Sequence, residues 1–485
     1  MKKFSRILSI VLSCMLMLVS AAYASEIPGN PAVIPAGLEI DWNIRYSFAE
    51  LEDQMSAIAD AYPEITKLYE IGHSWQERSL WCMEITNEAI PAEDKIGISV
   101  MANIHGGERE SASSAMYFMW WMAVNSDSEY VQKLLNEYIV YIVPVINPDG
   151  YEQSFVINTR QNMRPRDLNG NGIPFSDPYT DIDGDGYISY LFKGAADADM
   201  SWLEGASSPY AARRANKDAY AASYMGMESP DWDKNGILAD DPRNSGIDMN
   251  RTFDYQWNRY DIETKDTQVI GSNSFASAGP DAASEPEIQA IQNFLIKTDI
   301  DALATLHTGI QCVLYPWCYR PFDAETDSED LVKMSEISAE MAAAFQETSG
   351  RGFYSKSSYE DYPTSAELID FAYGRLNIHA YTIEVYSGGK SASGNIEDCY
   401  WENELPAPTV KFYSNEEVKA MGLDTEAFGL AENEGVWFYT ASSELMVDKA
   451  PEDQDVMVQG CRDALLVMME AEPFGQGWTV PYYLQ

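Results

Sequence analysis

YIVYIVPV, residues 138–145, is an apolar stretch without a charged side chain. A run in which every position is apolar is typical of a strand buried on both faces. Two shorter apolar runs precede it, at 80–85 and 96–101, and a Met- and Trp-rich helical stretch, 111–124, lies between the second run and the third. This alternation of strands and helices predicts an α/β fold, a sheet layered by helices.

The same alternation continues on both sides of this region. An amphipathic helix is expected before it, where Pro63 stops the pattern. Helices and strands alternate again after residue 280, and an amphipathic helix closes the chain. The predicted elements are a helix at 47–61, a helix at 285–296, a strand at 302–306, a helix at 330–345, a strand at 380–385 and a helix at 454–470.

Residues 165–245 break the pattern, because they are rich in Asp, Asn, Gly, Pro and Tyr and poor in periodic apolar positions. We interpret them as a long surface insertion. The predicted domain organisation begins with a lead-in segment at 25–45, which is too short to be a folded inhibitory domain. One catalytic domain would follow at 46–485, with the insertion at about 165–245.

The amino terminus has the pattern of an export signal. Basic residues precede an apolar run at 7–18, and Ala22-Tyr23-Ala24 supplies a small-x-small cleavage site. A signal peptide at 1–24 and a secreted, extracellular protein are therefore predicted. A retained membrane anchor is the alternative, but the apolar run is short for a spanning helix.

The charge balance excludes some partners. The chain has 32 basic and 76 acidic side chains and a net charge of −44. A surface this acidic repels phosphate backbones, so nucleic acid and anionic membranes are not expected partners. Removal of the signal peptide leaves five cysteines, an odd number. Cys312 and Cys318 are close enough in sequence to form a disulfide, and buried thiols are the alternative.

Histidine is scarce, so candidate metal ligands are few. His105 and Glu108 lie three residues apart where the strand at 96–101 gives way to a helix. His307 ends one predicted strand, and Glu384 lies at the end of another. Two His and one Glu on zinc leave a fourth position open for water. A further Glu that is not a ligand is the expected general base.

Five motifs occur in an order that resembles the zinc carboxypeptidases related to carboxypeptidases A and B and to bacterial carboxypeptidase T. They are H-x-x-E at 105–108, N-P-D-G-Y at 147–151, D-x-N-R at 248–251, H with Q-x-x-L-Y-P at 307–316, and a strand that ends in Glu384. The resemblance implies a mixed, mostly parallel twisted sheet flanked by helices. It also implies one catalytic Zn²⁺ and hydrolysis of the last peptide bond at the C-termini of peptides or proteins.

The resemblance also assigns the centre of the site. His105, Glu108 and His307 are the implied zinc ligands, and Glu384 is the implied general base. Asp248 matches the carboxylate that accepts a hydrogen bond from the first ligand histidine and fixes its tautomer.

Further roles concern the substrate. Asn250 and Arg251 match the pair that binds the terminal carboxylate, which suits the fork of guanidinium donors. Arg164 matches the arginine that polarises the scissile carbonyl, with Arg160 and Arg166 as alternatives. Gly107 departs from the family, which often has arginine before the ligand glutamate.

The register counted back from Glu384 assigns two more positions. Tyr362 matches the mobile tyrosine of the family, with Tyr359 as the alternative. Ile369 matches the floor of the specificity pocket and implies an apolar C-terminal residue in the substrate. A shift of one residue would place Asp370 there and reverse this preference.

Two other functions remain open at this stage. A muropeptide or γ-glutamyl peptidase on the same fold would also act on substrates that end in carboxylates. An inactive extracellular binding module would be expected to lack a ligand or the base, yet all of them are present in this sequence.

Three loops in the predicted insertion match the first half of an EF-hand loop, which has oxygen ligands at positions 1, 3 and 5 and glycine at position 6. None of them continues with the glutamate of position 12. At least one structural Ca²⁺ is predicted, with the second loop as the best candidate; solvated turns are the alternative. The ligands would come from Asp167, Asn169 and Asn171, from Asp181, Asp183 and Asp185, or from Asp231, Asp233 and Asn235.

Overall fold

A computed structural model gives the architecture of most of the chain. It describes residues 27–31, 33–206, 209–218, 222–242, 246–258, 278–386, 406–442, 444–446, 450–451 and 453–471. The predicted signal peptide and Cys399 lie outside the described residues.

Eight strands form the main sheet. They are β1 (Thr66–His73), β2 (Ser79–Ile85), β3 (Ile96–Ala102), β4 (Tyr138–Val143), β7 (Ala302–His307), β8 (Cys312–Tyr315), β9 (Tyr354–Ser357) and β10 (His379–Glu384). Their spatial order is β1-β2-β4-β3-β7-β10-β8-β9. The four pairs β4-β3, β3-β7, β7-β10 and β8-β9 are parallel, and the other three are antiparallel. The mixed, mostly parallel sheet is therefore confirmed.

The described residues form helices that cover both faces of this sheet and helices that pack with a second sheet. They are α1 (Phe48–Ala61), α2 (Arg109–Val124), α3 (Glu129–Glu137), α4 (Pro148–Gln153), α5 (Ser201–Glu204), α6 (Pro209–Asp218), α7 (Pro286–Lys297), α8 (Glu329–Ser349), α9 (Ser358–Asp361), α10 (Leu368–Leu376), α11 (Asn415–Ala420) and α12 (Gln454–Glu470). Apolar residues of α1, α2, α8 and α12 pack on one face, and those of α7 and α10 pack on the other.

Local signals explain several element boundaries. Ser47 caps α1 through a capping box with Glu50, which satisfies backbone donors that the first turn leaves open. Gly350 ends α8 in the left-handed region, at φ 68°. All six residues of β4 are buried, as its apolar sequence predicts.

A second sheet lies in the region predicted as an insertion. It contains β5 (Tyr190–Ala195) and β6 (Ala222–Met227), together with β11 (Thr409–Ser414) and β12 (Glu434–Thr440) from the C-terminal part of the chain. The spatial order is β11-β12-β5-β6. The region predicted as an insertion thus contains two regular strands that its composition did not predict, and β5 pairs with a strand more than 200 residues away in the sequence.

The lead-in segment is irregular but attached to the core. The indole N–H of Trp120 donates to the carbonyl oxygen of Leu38 at 2.9 Å, and that of Trp121 donates to the carbonyl oxygen of Pro28 at 2.8 Å. Among the described residues, no helix is both long and apolar enough to cross a membrane. The described cysteines, which include Cys312 and Cys318, are buried free thiols.

Candidate active site

The site forms where three neighbouring parallel strands end. His307 and Glu384 are the last residues of β7 and β10, and they are direct partners in the register of that pair. His105 follows β3, which is the other neighbour of β7. Because parallel strands point the same way, their carboxyl ends meet at one edge of the sheet. This topology brings together residues that are up to 279 positions apart in the sequence.

The loop that carries His105 is folded by close backbone contacts. Asn103, at φ 55°, has a side-chain amide that donates to the carbonyl oxygens of His105 and Glu108, each at 3.1 Å. A Cβ at Gly107 would lie 1.9 Å from Oδ1 of Asn158. A larger residue at 107 would therefore require the side chain of Asn158 to move, and it would also lie close to the carbonyl oxygen of Thr159, at 3.1 Å.

Three side chains converge in the arrangement of a metal site. Nδ1 of His105 lies 2.8 Å from Oε1 of Glu108, and Nδ1 of His307 lies 3.0 Å from Oε2 of the same carboxylate. The ligand atoms of these residues all lie within 4.8 Å of one another. Two imidazole nitrogens and one carboxylate are a donor set that zinc prefers and that leaves one coordination position for chemistry. The residues present therefore fit a catalytic zinc ion.

Asp248 orients the first histidine. Its Oδ1 lies 3.2 Å from Nε2 of His105, which leaves Nδ1 to face Glu108. Burial alone would raise the pKa of Asp248, but Arg160, Arg251 and His105 hold it well below its usual range. This carboxylate is therefore ionised, and it favours the tautomer in which Nδ1 of His105 is free to bind a metal.

His105, Glu108 and His307 form what we call the ligand group. Glu384 lies beside this group and is not part of it. Its side chain lines the same cavity as His307, and its Oε2 is buried without a hydrogen-bond partner in the described part of the chain. Burial raises the pKa of Glu384; His307 opposes this rise, and Glu108 adds to it. A buried carboxylate with an unused oxygen can accept a proton, which is what a general base requires.

The cavity around these residues has a volume of about 420 Å³. Arg160 lines it, and the Nε of Arg160 donates to Oδ2 of Asp248 at 2.6 Å. Arg164 lies elsewhere, because its Nη1 donates to the buried Glu285 at 2.6 Å and its guanidinium lies over the ring of Trp75. The structure therefore places the alternative, Arg160, in the cavity lining rather than Arg164.

The predicted carboxylate-binding residues also line the cavity. Arg251 is 1% exposed, and its Nη2 donates to the hydroxyl of Tyr362 at 3.1 Å. Its Nε has no hydrogen-bond partner among the described residues. Asn250 and Tyr362 line the cavity together with Arg251, whereas Tyr359 does not. The structure thus favours Tyr362 over Tyr359 and leaves the Nε of Arg251 without a partner among the described residues.

The predicted specificity residue is not in the cavity. Ile369 is 1% exposed and packs in the apolar core between the sheet and α10. Asp370 is fully buried and accepts the backbone N–H of Cys318 at 3.0 Å. The structure therefore does not place Ile369 in the cavity lining, and its role as a pocket floor stays a prediction. Glu367, which the sequence did not single out, lines the cavity instead, at the N-cap position just before Leu368, the first residue of α10.

Each of the three Asp/Asn/Gly loops is a compact turn. The first aspartate of each, namely Asp167, Asp181 and Asp231, accepts backbone N–H groups of its own loop. Ligand atoms of Asp181, Asp183 and Glu228 lie within 4.8 Å of one another. Lys411 bonds Asp185 at 2.6 Å, so the charge of that carboxylate is already compensated.

A model of the zinc carboxypeptidase family matches residues 51–201 and 210–406. The chain belongs to this family. Carboxypeptidase E of Caenorhabditis elegans is 32% identical over 153 residues, which are 30% of this chain and 32% of that protein. Mast cell carboxypeptidase A of Rattus norvegicus is 22% identical over 356 residues, which are 72% of this chain and 64% of that protein. The chain thus covers less than two thirds of both of these members.

Solved structures of family members share the fold. Carboxypeptidase A from Helicoverpa armigera matches with a TM-score of 0.53 and 16% identity, over 96% of this chain and 81% of that one. Thrombin activatable fibrinolysis inhibitor matches with a TM-score of 0.51 and 18% identity, over 74% of this chain and 71% of that one. At this identity, the likeness shows the fold.

Proposed function

We propose that the protein is a zinc metallocarboxypeptidase, which hydrolyses the C-terminal peptide bond of peptides or proteins. The observation that carries this proposal is the joint placement, in one cavity, of the ligand group, the unused carboxylate of Glu384 and the buried guanidinium of Arg251. Family membership supports the same activity. The ligand group alone would fit many hydrolases, whereas Arg251 adds a donor for a terminal carboxylate.

His105, Glu108 and His307 would hold the zinc ion, which when bound supplies a Lewis acid that lowers the pKa of water to about 7. Arg251 and Asn250 bind the free carboxylate of the substrate and so fix which bond lies beside Glu384. Glu384 takes a proton from the attacking water and later gives it to the leaving amine. Arg160 donates to the oxyanion that forms on the scissile carbonyl.

Peptides with a free C-terminus should be hydrolysed, and the same peptides with a C-terminal amide should not. Amidation removes the charge that Arg251 binds, and charge-assisted hydrogen bonds are the strong ones. The measurement is kcat/KM for a matched free and amidated pair, with and without a zinc chelator. Equal rates for the two peptides would contradict the proposal. Activity that survives removal of zinc would contradict the role of zinc in the reaction.

Export is proposed on the amino-terminal pattern alone. A basic start, an apolar run at 7–18 and Ala22-Tyr23-Ala24 support a signal peptide that is cleaved before Ser25. N-terminal sequencing of the mature protein tests this, because a chain that retains Met1 would contradict it.

Calcium stays a prediction, now centred on the second loop. We expect millimolar Ca²⁺ to raise the melting temperature of chelator-treated protein, by mass action on the folded state, with zinc held constant. The proximity of Asp181, Asp183 and Glu228 supports this, since a cation would relieve their repulsion. Burial raises the pKa of Glu228 to about 8, so the effect should grow as the pH rises through that value. An Asp183→Asn variant should lose the shift; an unchanged melting curve of the parent would refute the site.

A further inference from the structure

Glu367 is a carboxylate at the carboxylate-binding end of the cavity. Its Oε1 accepts a hydrogen bond from Nη1 of Arg251 at 2.9 Å, and the hydroxyl of Thr364 donates to the same oxygen. Its Oε2 lies 3.4 Å from the side-chain amide of Asn250. The side chain is 9% exposed and lines the cavity. Both proposed carboxylate-binding residues thus already contact a carboxylate of the protein itself.

The charges around this point balance before any substrate enters. Arg160 and Arg251 are cationic, and they are matched by Asp248, which bonds Arg160, and by Glu367, which bonds Arg251. A substrate's terminal carboxylate on Arg251 would add a second anion close to Glu367. In a site of low dielectric constant, such an uncompensated charge is costly.

The other carboxylates at the cavity wall do not change this balance. Glu108 and Glu384 line the cavity at its ligand end, where the zinc ion that Glu108 would help to hold offsets their charge. Asp361 lines the cavity, but Lys356 bonds its Oδ1 at 2.7 Å.

Ile310 and Leu314 line the cavity as well and are apolar. Once Arg251 also binds a substrate carboxylate, the lining therefore offers a carboxylate, Glu367, whose charge is no longer fully compensated. It also offers apolar surface that can contact an aliphatic stem.

We propose that Glu367 is a specificity-determining residue that selects substrates whose C-terminal residue carries a second, positively charged group, such as the ammonium of lysine. The inference rests on the proposed carboxypeptidase function. The cation compensates Glu367 while Arg251 binds the terminal carboxylate. An apolar C-terminal residue leaves Glu367 without that compensation. The preference is thus the reverse of the one that Ile369 implied.

Blocked dipeptides that differ only in the last side chain test this. Peptides ending in lysine should be hydrolysed faster than those ending in ε-N-acetyl-lysine, which keeps the stem and loses the charge. A charge-assisted hydrogen bond corresponds to about a 10- to 100-fold ratio of kcat/KM. Comparing the rate for a peptide that ends in meso-diaminopimelate with the rate for the lysine peptide shows which cation is preferred, that of a cell-wall peptide or that of an ordinary basic residue. Equal rates for lysine and acetyl-lysine, or faster hydrolysis of leucine, would overturn the inference.

Two variants locate the effect. Glu367→Gln should bring the lysine to acetyl-lysine ratio close to one, whereas a merely structural role would lower both rates together. Asp370→Asn is the matched control, because Asp370 is buried outside the cavity and burial raises its pKa to about 8, so that its neutral form resembles the amide. It should leave the ratio unchanged; a ratio that falls in Asp370→Asn and not in Glu367→Gln would refute the role of Glu367.

A binding measurement separates this inference from the proposed function. Calorimetry with the same peptides and a Glu384→Ala variant reads the preference for lysine without turnover. If the parent hydrolyses none of the peptides while lysine still binds more tightly than acetyl-lysine, the proposed function fails and the specificity stands. If hydrolysis occurs without a preference in rate or binding, only the specificity fails.

Discussion

Replacing Glu384 with alanine should lower kcat by several orders of magnitude while zinc stays bound. General-base catalysis alone contributes about 10²–10⁴-fold, and Glu384 also returns the proton to the leaving amine. Zinc binding should persist, since the converging ligand atoms belong to His105, Glu108 and His307. The measurement pairs kcat for a free C-terminal peptide with metal content by atomic absorption.

A second variant separates the base from the shape of the site. Glu384→Gln keeps the volume of the side chain and removes its basicity, so it should be as inactive as Glu384→Ala. The buried Oε2 of Glu384 has no partner among the described residues, and neither change therefore breaks a hydrogen bond there. We expect unchanged melting temperatures for both. Either variant hydrolysing peptides at the parent rate would exclude Glu384 as the base.

The ligand group can be predicted from the sequence because its residues are either close together in the chain or brought together by the order of the strands. His105 and Glu108 lie three residues apart, and His307 and Glu384 end neighbouring parallel strands. Strand ends can be read from apolar runs, and parallel strands end at one edge. Such signals need no knowledge of distant side-chain contacts.

The direction of a side chain cannot be predicted from the sequence where contacts with residues distant in the chain decide it. Arg160 and Arg164 lie in one irregular segment, and their directions depend on Asp248 and Glu285, which are 88 and 121 residues away. Ile369 and Glu367 are two residues apart at the start of α10, and the packing of that helix on the sheet puts one in the core and the other in the cavity. No spacing or composition signal distinguishes these choices.

Replacing Arg160 with alanine should lower kcat about 10²–10³-fold, the usual cost of losing one donor to the oxyanion. The guanidinium lines the cavity beside the ligand group, with its Nη1 3.7 Å from Oε1 of Glu108. Because it also bonds Asp248, the variant should be checked for zinc content, so that lost catalysis is not confused with lost metal. Arg160→Lys should recover part of the rate, since it restores the charge without the fork of donors.

Arg164→Ala is the matched control for this prediction. Arg164 is paired with Glu285, a fully buried carboxylate, so its removal should lower the melting temperature. Since its guanidinium lies outside the cavity lining, kcat measured well below that melting temperature should stay within a few-fold of the parent. The two arginines can therefore be distinguished by two measurements. Replacing Arg160 should lower kcat, and replacing Arg164 should lower the melting temperature. A large loss of kcat in Arg164→Ala with none in Arg160→Ala would restore the assignment that the sequence favoured.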